Sequence, residues 1–445
     1  MTVHSDATRT SATIEDVNAA PPPAPDAKPE TGYRWTVCAL LFFATTINYI
    51  DRQVIGILAP TLQREIGWSE LDYSRISQAF TFAYAIGFLG VGRLLDRFGV
   101  RKGFAWAIVA WSLAAMSAGL ARSVNAFGLA RAALGLGESA NFPGAIKATA
   151  EWFPKRERAF ATGIFNAGSN VGAIAAPLLV PWIALHMGWS WAFILTGALG
   201  FLWLIAWLAI YRSPETHPRV SPSELAYIRS DPVEPTRSVP WRRLLTKRQT
   251  WAFMIGKFLT DPIWWFYLFW LPKFLDAQFG VKLAGLAAPL VAIYLVADVG
   301  SVGGGYLSSF FIKRGMSVNR ARKLTMLLAA ICIVPTMFAT KAGTMWGAVA
   351  IVSVAAAAHQ WWSANIFTLT SDMFPKHAVA SVVGLGGFAG AMGGVLFQGY
   401  TGRVLQADPT AYGKVFVVCG FAYVTALAII HLIVPRLEPA RLEEA

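Results

Sequence analysis

The chain has 445 residues, of which 55% are hydrophobic and only 14% charged, with a net charge of +13. Soluble domains carry about 25% charged residues, and a mean hydropathy of +0.48 excludes that class in favour of a polytopic membrane protein. The basic excess does not indicate nucleic acid, because the cations fall in short connections between apolar spans, as the positive-inside bias requires.

Residues 1–32 form an Ala/Pro-rich tail with Asp6, Glu15, Asp16 and Asp26 and no apolar run. This composition predicts a disordered cytoplasmic extension. Spans of about 20 apolar residues then follow at 34–60, 73–95, 103–121, 124–152, 159–181 and 189–211, all read from the sequence. A polar, Pro-containing segment at 212–248 interrupts them. Six more are expected at 249–275, 285–311, 323–340, 344–372, 379–404 and 412–434, before a cytoplasmic tail at 436–445. The predicted organisation is thus two six-helix bundles, 33–211 and 249–435, in an all-α membrane protein of twelve transmembrane helices. The even-numbered connections and the central segment hold the cations, Arg237 among them, which predicts that both termini are cytoplasmic. Cys38, Cys332 and Cys419 each sit inside an apolar span and read as small hydrophobes.

The two halves echo each other. Glu151-Trp-Phe-Pro-Lys155 after span 4 matches Asp372-Met-Phe-Pro-Lys376 after span 10. Related halves are a transporter feature, with substrate bound between them near the midplane.

Ionisable residues at membrane depth are costly and by default mark substrate, ion or proton sites. Span 1 carries Asp51 and Arg52, which point about 100° apart on a helix, so each needs its own partner. Span 4 carries Arg131 and Glu138, two turns apart on one face. The antiparallel run of spans 1 and 4 predicts an Asp51–Arg131 pair, with Glu138 as a deeper carboxylate. Burial disfavours the ionised carboxylate and a nearby arginine favours it. Opening and closing a cavity would alternate those effects, a route to proton uptake on one side and release on the other. Arg52 is the candidate anchor for a substrate carboxylate, since guanidinium matches carboxylate bidentately. Tyr84, Asn166, Asn170, Tyr267 and Asn365 are candidate readers of substrate hydroxyls, and Trp361 and Trp362 could stack on a sugar face. Lys257 and Asp261 are one turn apart and predict a local pair near the entrance to span 7. His359 is expected to be hydrogen-bonded in place.

The loop after span 2 reads Gly92-Arg-Leu-Leu-Asp96-Arg97-Phe-Gly99-Val-Arg101-Lys102. It resembles the loop signature of the major facilitator superfamily. Gly92 and Gly99 allow close approach and a tight turn, and Asp96 is expected to pair with a cytoplasmic arginine or to face a helix N-terminus, as part of an inner gate. The second-half copy places Ser309 where the aspartate would be. Within that superfamily, Asn48-Tyr-Ile-Asp51-Arg52, Arg131-Ala-Ala-Leu-Gly-Leu-Gly-Glu138 and the run from Asn365 to Pro375 resemble the anion:cation symporter family. That family includes bacterial hexuronate and galactonate transporters and animal sialic acid and vesicular glutamate carriers. Span 7 is most similar to its hexuronate branch.

The resemblance implies a bacterial inner-membrane symporter, a monomer, that moves a sugar-acid anion such as glucuronate or galacturonate with protons. It implies that Asp51 and Glu138 are the proton-coupling positions. Another organic anion (galactonate, glucarate, an aromatic acid or a dicarboxylate) is the alternative, and a non-transporting membrane sensor is the alternative of another class. Glycine clusters near Gly384–Gly394 lie in an apolar span and are not dinucleotide loops. No cofactor, nucleic acid or ATP is expected, and no catalytic constellation is visible, so an enzyme is not expected.

Overall fold

The computed structural model describes residues 31–231 and 239–441. Most of the predicted N-terminal tail, Arg237 and residues 442–445 lie outside the described residues. The helices are α1 (Tyr33–Ile66), α2 (Glu70–Ala118), α3 (Val124–Glu138), α4 (Asn141–Trp152), α5 (Lys155–Met187) and α6 (Trp189–Ile210) in the first half. Two short linker helices follow, α7 (Pro222–Ile228) and α8 (Trp241–Leu245). The second half holds α9 (Arg248–Phe279), α10 (Ala287–Lys313), α11 (Val318–Ile333), α12 (Met345–Met373), α13 (Lys376–Ala407) and α14 (Tyr412–Ile433). These helices, with a 3-10 turn at Val334–Lys341 that completes the span after α11, cover the twelve predicted spans, and no strand occurs among the described residues. Among the described residues, seven stretches are long and apolar enough to cross a membrane on those grounds alone. α1, α3–α4, α9 and α12 are not among them; α1 and α9 carry buried ionisable side chains, and the α3–α4 span is broken in two.

Local chemistry explains where the chain departs from twelve plain rods. α2 carries spans 2 and 3 and breaks at Gly99, whose φ of 73° and ψ of 162° suit a residue without a side chain. The start of α2 has a capping box: Ser69 accepts from the Asp72 N–H and Asp72 accepts from the Ser69 N–H, both at 3.1 Å. Span 4 was expected to be continuous over 124–152, and it is divided after Glu138. Pro143 has no N–H to give the carbonyl four residues back, and the helix tightens there to an Ala140 N–H to Gly137 carbonyl bond of 3.3 Å. The internal echo is structural too. α4 and α12 end alike, on extended Phe153 and Phe374, whose N–H groups donate to Thr149 and Thr370 carbonyls at 2.9 Å each.

The α7 part of the polar linker is docked on α1. The Glu224 carboxylate on α7, fully buried, accepts from the N–H groups of Tyr33 at 3.0 Å and Arg34 at 3.1 Å. Gly32 offers α1 no side-chain cap, so Glu224 supplies it from another segment. Arg34 also pairs with Glu224 at 3.1 Å and with Glu157 at 2.8 Å.

Hydrogen bonds between the halves, among the described residues, fall at the end where α1 finishes and α2 begins. Tyr73 donates to the Phe269 carbonyl at 2.6 Å, Ser74 to the Gln398 carbonyl at 2.9 Å and Gln78 to the Val395 carbonyl at 2.8 Å. Gln398 donates to Thr81 at 2.7 Å, and Arg64 pairs with Asp276 at 3.1 Å. Lys273 pairs with Glu70. The bundles therefore close against each other at the end remote from the Gly92–Lys102 loop.

Candidate functional site

Where α1, α2, α3 and α9 converge, four ionisable side chains are buried together: Asp51 and Arg131 are 1% exposed, Arg52 3% and Glu138 0%. Gly135 sets this approach, because a Cβ there would overlap the Phe80 carbonyl oxygen of α2. It lies between Arg131 and Glu138, so the two charged residues flank this tight contact of α3 with α2.

Arg52 is paired with Glu138. Its Nε and Nη2 both donate to Glu138 Oε2, at 3.0 and 2.9 Å. Nη2 also donates to Asn48 Oδ1 at 3.1 Å, one turn back on α1. Aromatic faces surround the guanidinium: Tyr49 and Tyr84 at 4.8 Å, Trp265 at 5.2 Å and Phe80 at 5.5 Å. Their π faces stabilise a cation. Trp265 belongs to α9, so the second half contributes a wall of the first half's site. Glu138 Oε1 has no hydrogen-bond partner. The expected anchor Arg52 is thus held by the protein's own carboxylate.

The expected Asp51–Arg131 ion pair does not form. Arg131 instead donates to backbone carbonyls of α1, Asp51 O at 3.4 Å and Arg52 O at 3.2 Å. Its guanidinium lies 4.4 Å from the Phe80 ring centre. It clamps the chain that presents both α1 charges and does not neutralise Asp51. Both Asp51 carboxylate oxygens are buried and unpartnered, with Glu138, Thr196 and Arg131 as their interacting neighbours.

Other candidates separate. Tyr84 joins the site through Arg52. Tyr267 is a correction: two residues beyond Trp265, it points to the opposite face of α9, fully buried in the second bundle with its hydroxyl unpartnered. Asn365 donates to Gly304 O at 3.2 Å and Trp361 O at 3.0 Å, tying α12 to α10. Trp361 packs on Gly304 in that same contact. Asn170 accepts from Ser169, its chain neighbour, at 3.4 Å, and Asn166 is exposed. Neither is brought to Arg52.

In the loop motif, Asp96 pairs with Lys147 at 2.7 Å. The expected partner was an arginine; the actual one is a lysine of α4 in the same bundle. Arg101 donates to Leu208 O at 2.6 Å and accepts from Trp207 at 3.0 Å through its own carbonyl. Gly92, Arg97 and Lys102 are exposed, with Arg97 against Phe98 at 5.6 Å. In the second half Ser309 bonds only its own helix, and Arg322 pairs with Asp372 at 3.0 Å.

Sequence reasoning missed Asn48, Trp265 and Lys147. The first was legible, four residues before Arg52. The others depend on which helix face meets which neighbour.

A family model described as the Major Facilitator Superfamily matches residues 41–398. The chain is 33% identical over 394 residues to the hexuronate transporter of Escherichia coli (strain K12), covering 87% of this chain and 90% of that one. It is 34% identical over 311 residues to the galacturonate transporter of Dickeya chrysanthemi, covering 68% and 90%. A crystal structure of a bacterial homologue of the human lysosomal transporter Spinster, inward-facing and occupied, aligns over 91% of this chain and 97% of that one. Its TM-score is 0.71 at 19% identity, a likeness of fold. On the family match and the helical architecture together, the chain belongs to the Major Facilitator Superfamily and is a multi-pass membrane transporter, not an enzyme.

Proposed function

We propose that this protein imports a sugar-acid anion, a hexuronate such as glucuronate or galacturonate, by proton-coupled symport. The observation that carries the reading is the buried Arg52–Glu138 pair beside the unpartnered carboxylate of Asp51. The named activities of the two relatives supply the substrate class.

The chemistry is an exchange of partners. A proton on Glu138 removes the charge that holds Arg52, and the substrate carboxylate takes the freed guanidinium inside the aromatic cage. Substrate and proton then move together, because neither the cation nor the anion can stay alone in a dry site. Asp51 is a second proton acceptor, one helix step away. The moving bodies are residues 33–211 and 249–435, joined by 212–248, and access alternates as the ties of Tyr73, Ser74 and Gln78 break and reform. We place both termini in the cytoplasm, on the side of the cationic connections. In that orientation the described state is closed outside.

Uptake of labelled glucuronate into proteoliposomes tests this. Uphill accumulation under an inward proton gradient, inhibited by galacturonate, is expected. Accumulation indifferent to the proton gradient would overturn the coupling. One monoanion with one proton carries no net charge, whereas a second proton would add about 2.3 kcal/mol per 100 mV, which an imposed potential detects.

A further inference from the structure

The proposed transport cycle does not use the charge pair of Lys257 and Asp261 on α9. Lys257 Nζ lies 2.8 Å from Asp261 Oδ2 on α9, with side chains 8% and 21% exposed. Lys257 is nine residues into α9 and Asp261 thirteen, about 14 and 20 Å along the helix, so the pair is well inside the span rather than at its entrance. Trp265, one further turn along, closes over Arg52 at 5.2 Å. Trp265, Asp261 and Lys257 are thus spaced at successive turns, about 6 Å apart, running from the Arg52 cage toward the N-terminal end of α9.

The surroundings are built around this pair. α13 presents Gly390, where any Cβ would overlap the Asp261 carboxylate. α12 places Phe367 4.2 Å from Lys257 Nζ. The ionisable groups facing the pair are His359 of α12, on the Lys257 side, and Tyr423 of α14, on the Asp261 side. His359 is bonded to Tyr423 and stacked on Trp264 at 5.1 Å, so it is engaged elsewhere and does not neutralise Asp261. A purely structural role is poorly served by two charges in an apolar span, because hydrophobic residues of similar volume pack as well without the desolvation cost.

We propose that Lys257 and Asp261 form a second anion–proton exchange site, in the other half of the molecule, on the substrate's path between the Arg52 cage and the cytoplasmic mouth. The proposal rests on the symport reading. A transported proton adds to the Asp261 carboxylate, forming an O–H bond. The Lys257 ammonium then exchanges its hydrogen bond to Asp261 for one to the substrate carboxylate. Positive and negative charge remain balanced throughout. Each half thereby holds one cation guarded by its own carboxylate, and the substrate anion passes between them.

The discriminating variant is Lys257→Gln/Asp261→Asn, which removes both charges and leaves none unpaired. A structural pair predicts that this variant transports like the wild type. The exchange site predicts an unchanged unfolding temperature with a KM for glucuronate raised at least about tenfold, while Lys257→Arg stays near the wild-type KM. Wild-type KM and pH profile in the double variant would overturn the proposal. A second readout needs no substrate. Infrared difference spectra of the wild type on acidification should show a protonated carboxyl band that Asp261→Asn lacks; no such band would equally overturn it. Should the wild type bind no glucuronate at all, the substrate reading fails, and the infrared result still decides the proton site.

Discussion

Replacing Glu138 by Gln mimics the protonated carboxyl and should have two opposed effects. Glu138 Oε2 accepts two charged hydrogen bonds from Arg52, at 3.0 and 2.9 Å. Removing one member of a buried pair costs about 3–5 kcal/mol. The glutamine carbonyl can recover one hydrogen bond, about 1 kcal/mol. Asn48 and the four aromatic faces hold Arg52 in both proteins and cancel. The expected net loss of substrate-free stability is about 2–4 kcal/mol. A substrate carboxylate that takes the vacated place regains much of it. At about 1.4 kcal/mol per factor of ten, glucuronate should bind Glu138→Gln between about 10- and 1,000-fold more tightly than wild type. Uphill uptake should be lost, because the group that exchanges a proton for the anion is gone. Thermal unfolding with and without glucuronate, paired with counterflow in proteoliposomes, measures both. Weaker glucuronate binding with uphill uptake intact would refute the partner-exchange reasoning.

Asp51→Asn removes a buried carboxylate with no partner, so substrate-free stability should change by less than about 1 kcal/mol or rise. Proton-driven accumulation should fall by at least about tenfold, and wild-type accumulation would remove Asp51 from the coupling path. Arg131→Met loses two hydrogen bonds to α1 carbonyls and should destabilise by about 1.5–3 kcal/mol, read by thermal unfolding. Arg131→Lys should recover less than half of that, since one ammonium cannot match the guanidinium fork. Glu224→Ala should cost about 1–2 kcal/mol through loss of the α1 cap, seen as earlier proteolysis near residue 33. Burial pushes the Glu224 carboxyl up, but hydrogen bonds from Thr31 and from the Arg34 and Tyr33 N–H groups, with the Arg34 guanidinium, outweigh it and hold it below 4.5. Its contribution is therefore full above about pH 4.5 and is lost as pH falls through the lower folded value. Acid titration of the α1–α7 contact, followed by proteolysis, should show release below pH 4.5 in the wild type and no pH dependence in Glu224→Ala, which is released at every pH.

The fold was legible because each span had to supply its own backbone hydrogen bonds and a long apolar surface. The charges at membrane depth likewise marked α1 and α3, since so few residues compete for that role. What the sequence left open is how side chains end. Arg131 and Asp51 lie close, as the spacing indicated, yet the long guanidinium reaches past the carboxylate to the backbone behind it. Tyr267 read as a hydroxyl near the centre, and two residues of helix turned it into the bundle core. Pro143 could have foretold the break after Glu138. Nothing in a Pro-containing polar linker announced that Glu224 would cap a helix about 190 residues earlier. Such long-range docking depends on tertiary contacts that local pattern does not encode.

The central claim is that glucuronate and protons cross together through exchange at Arg52–Glu138. The direct measurement is the pH outside weakly buffered proteoliposomes on addition of glucuronate. The account predicts alkalinisation that rises in proportion to uptake for the wild type and vanishes for Glu138→Gln. Glucuronate entry with no accompanying proton movement in the wild type would contradict it.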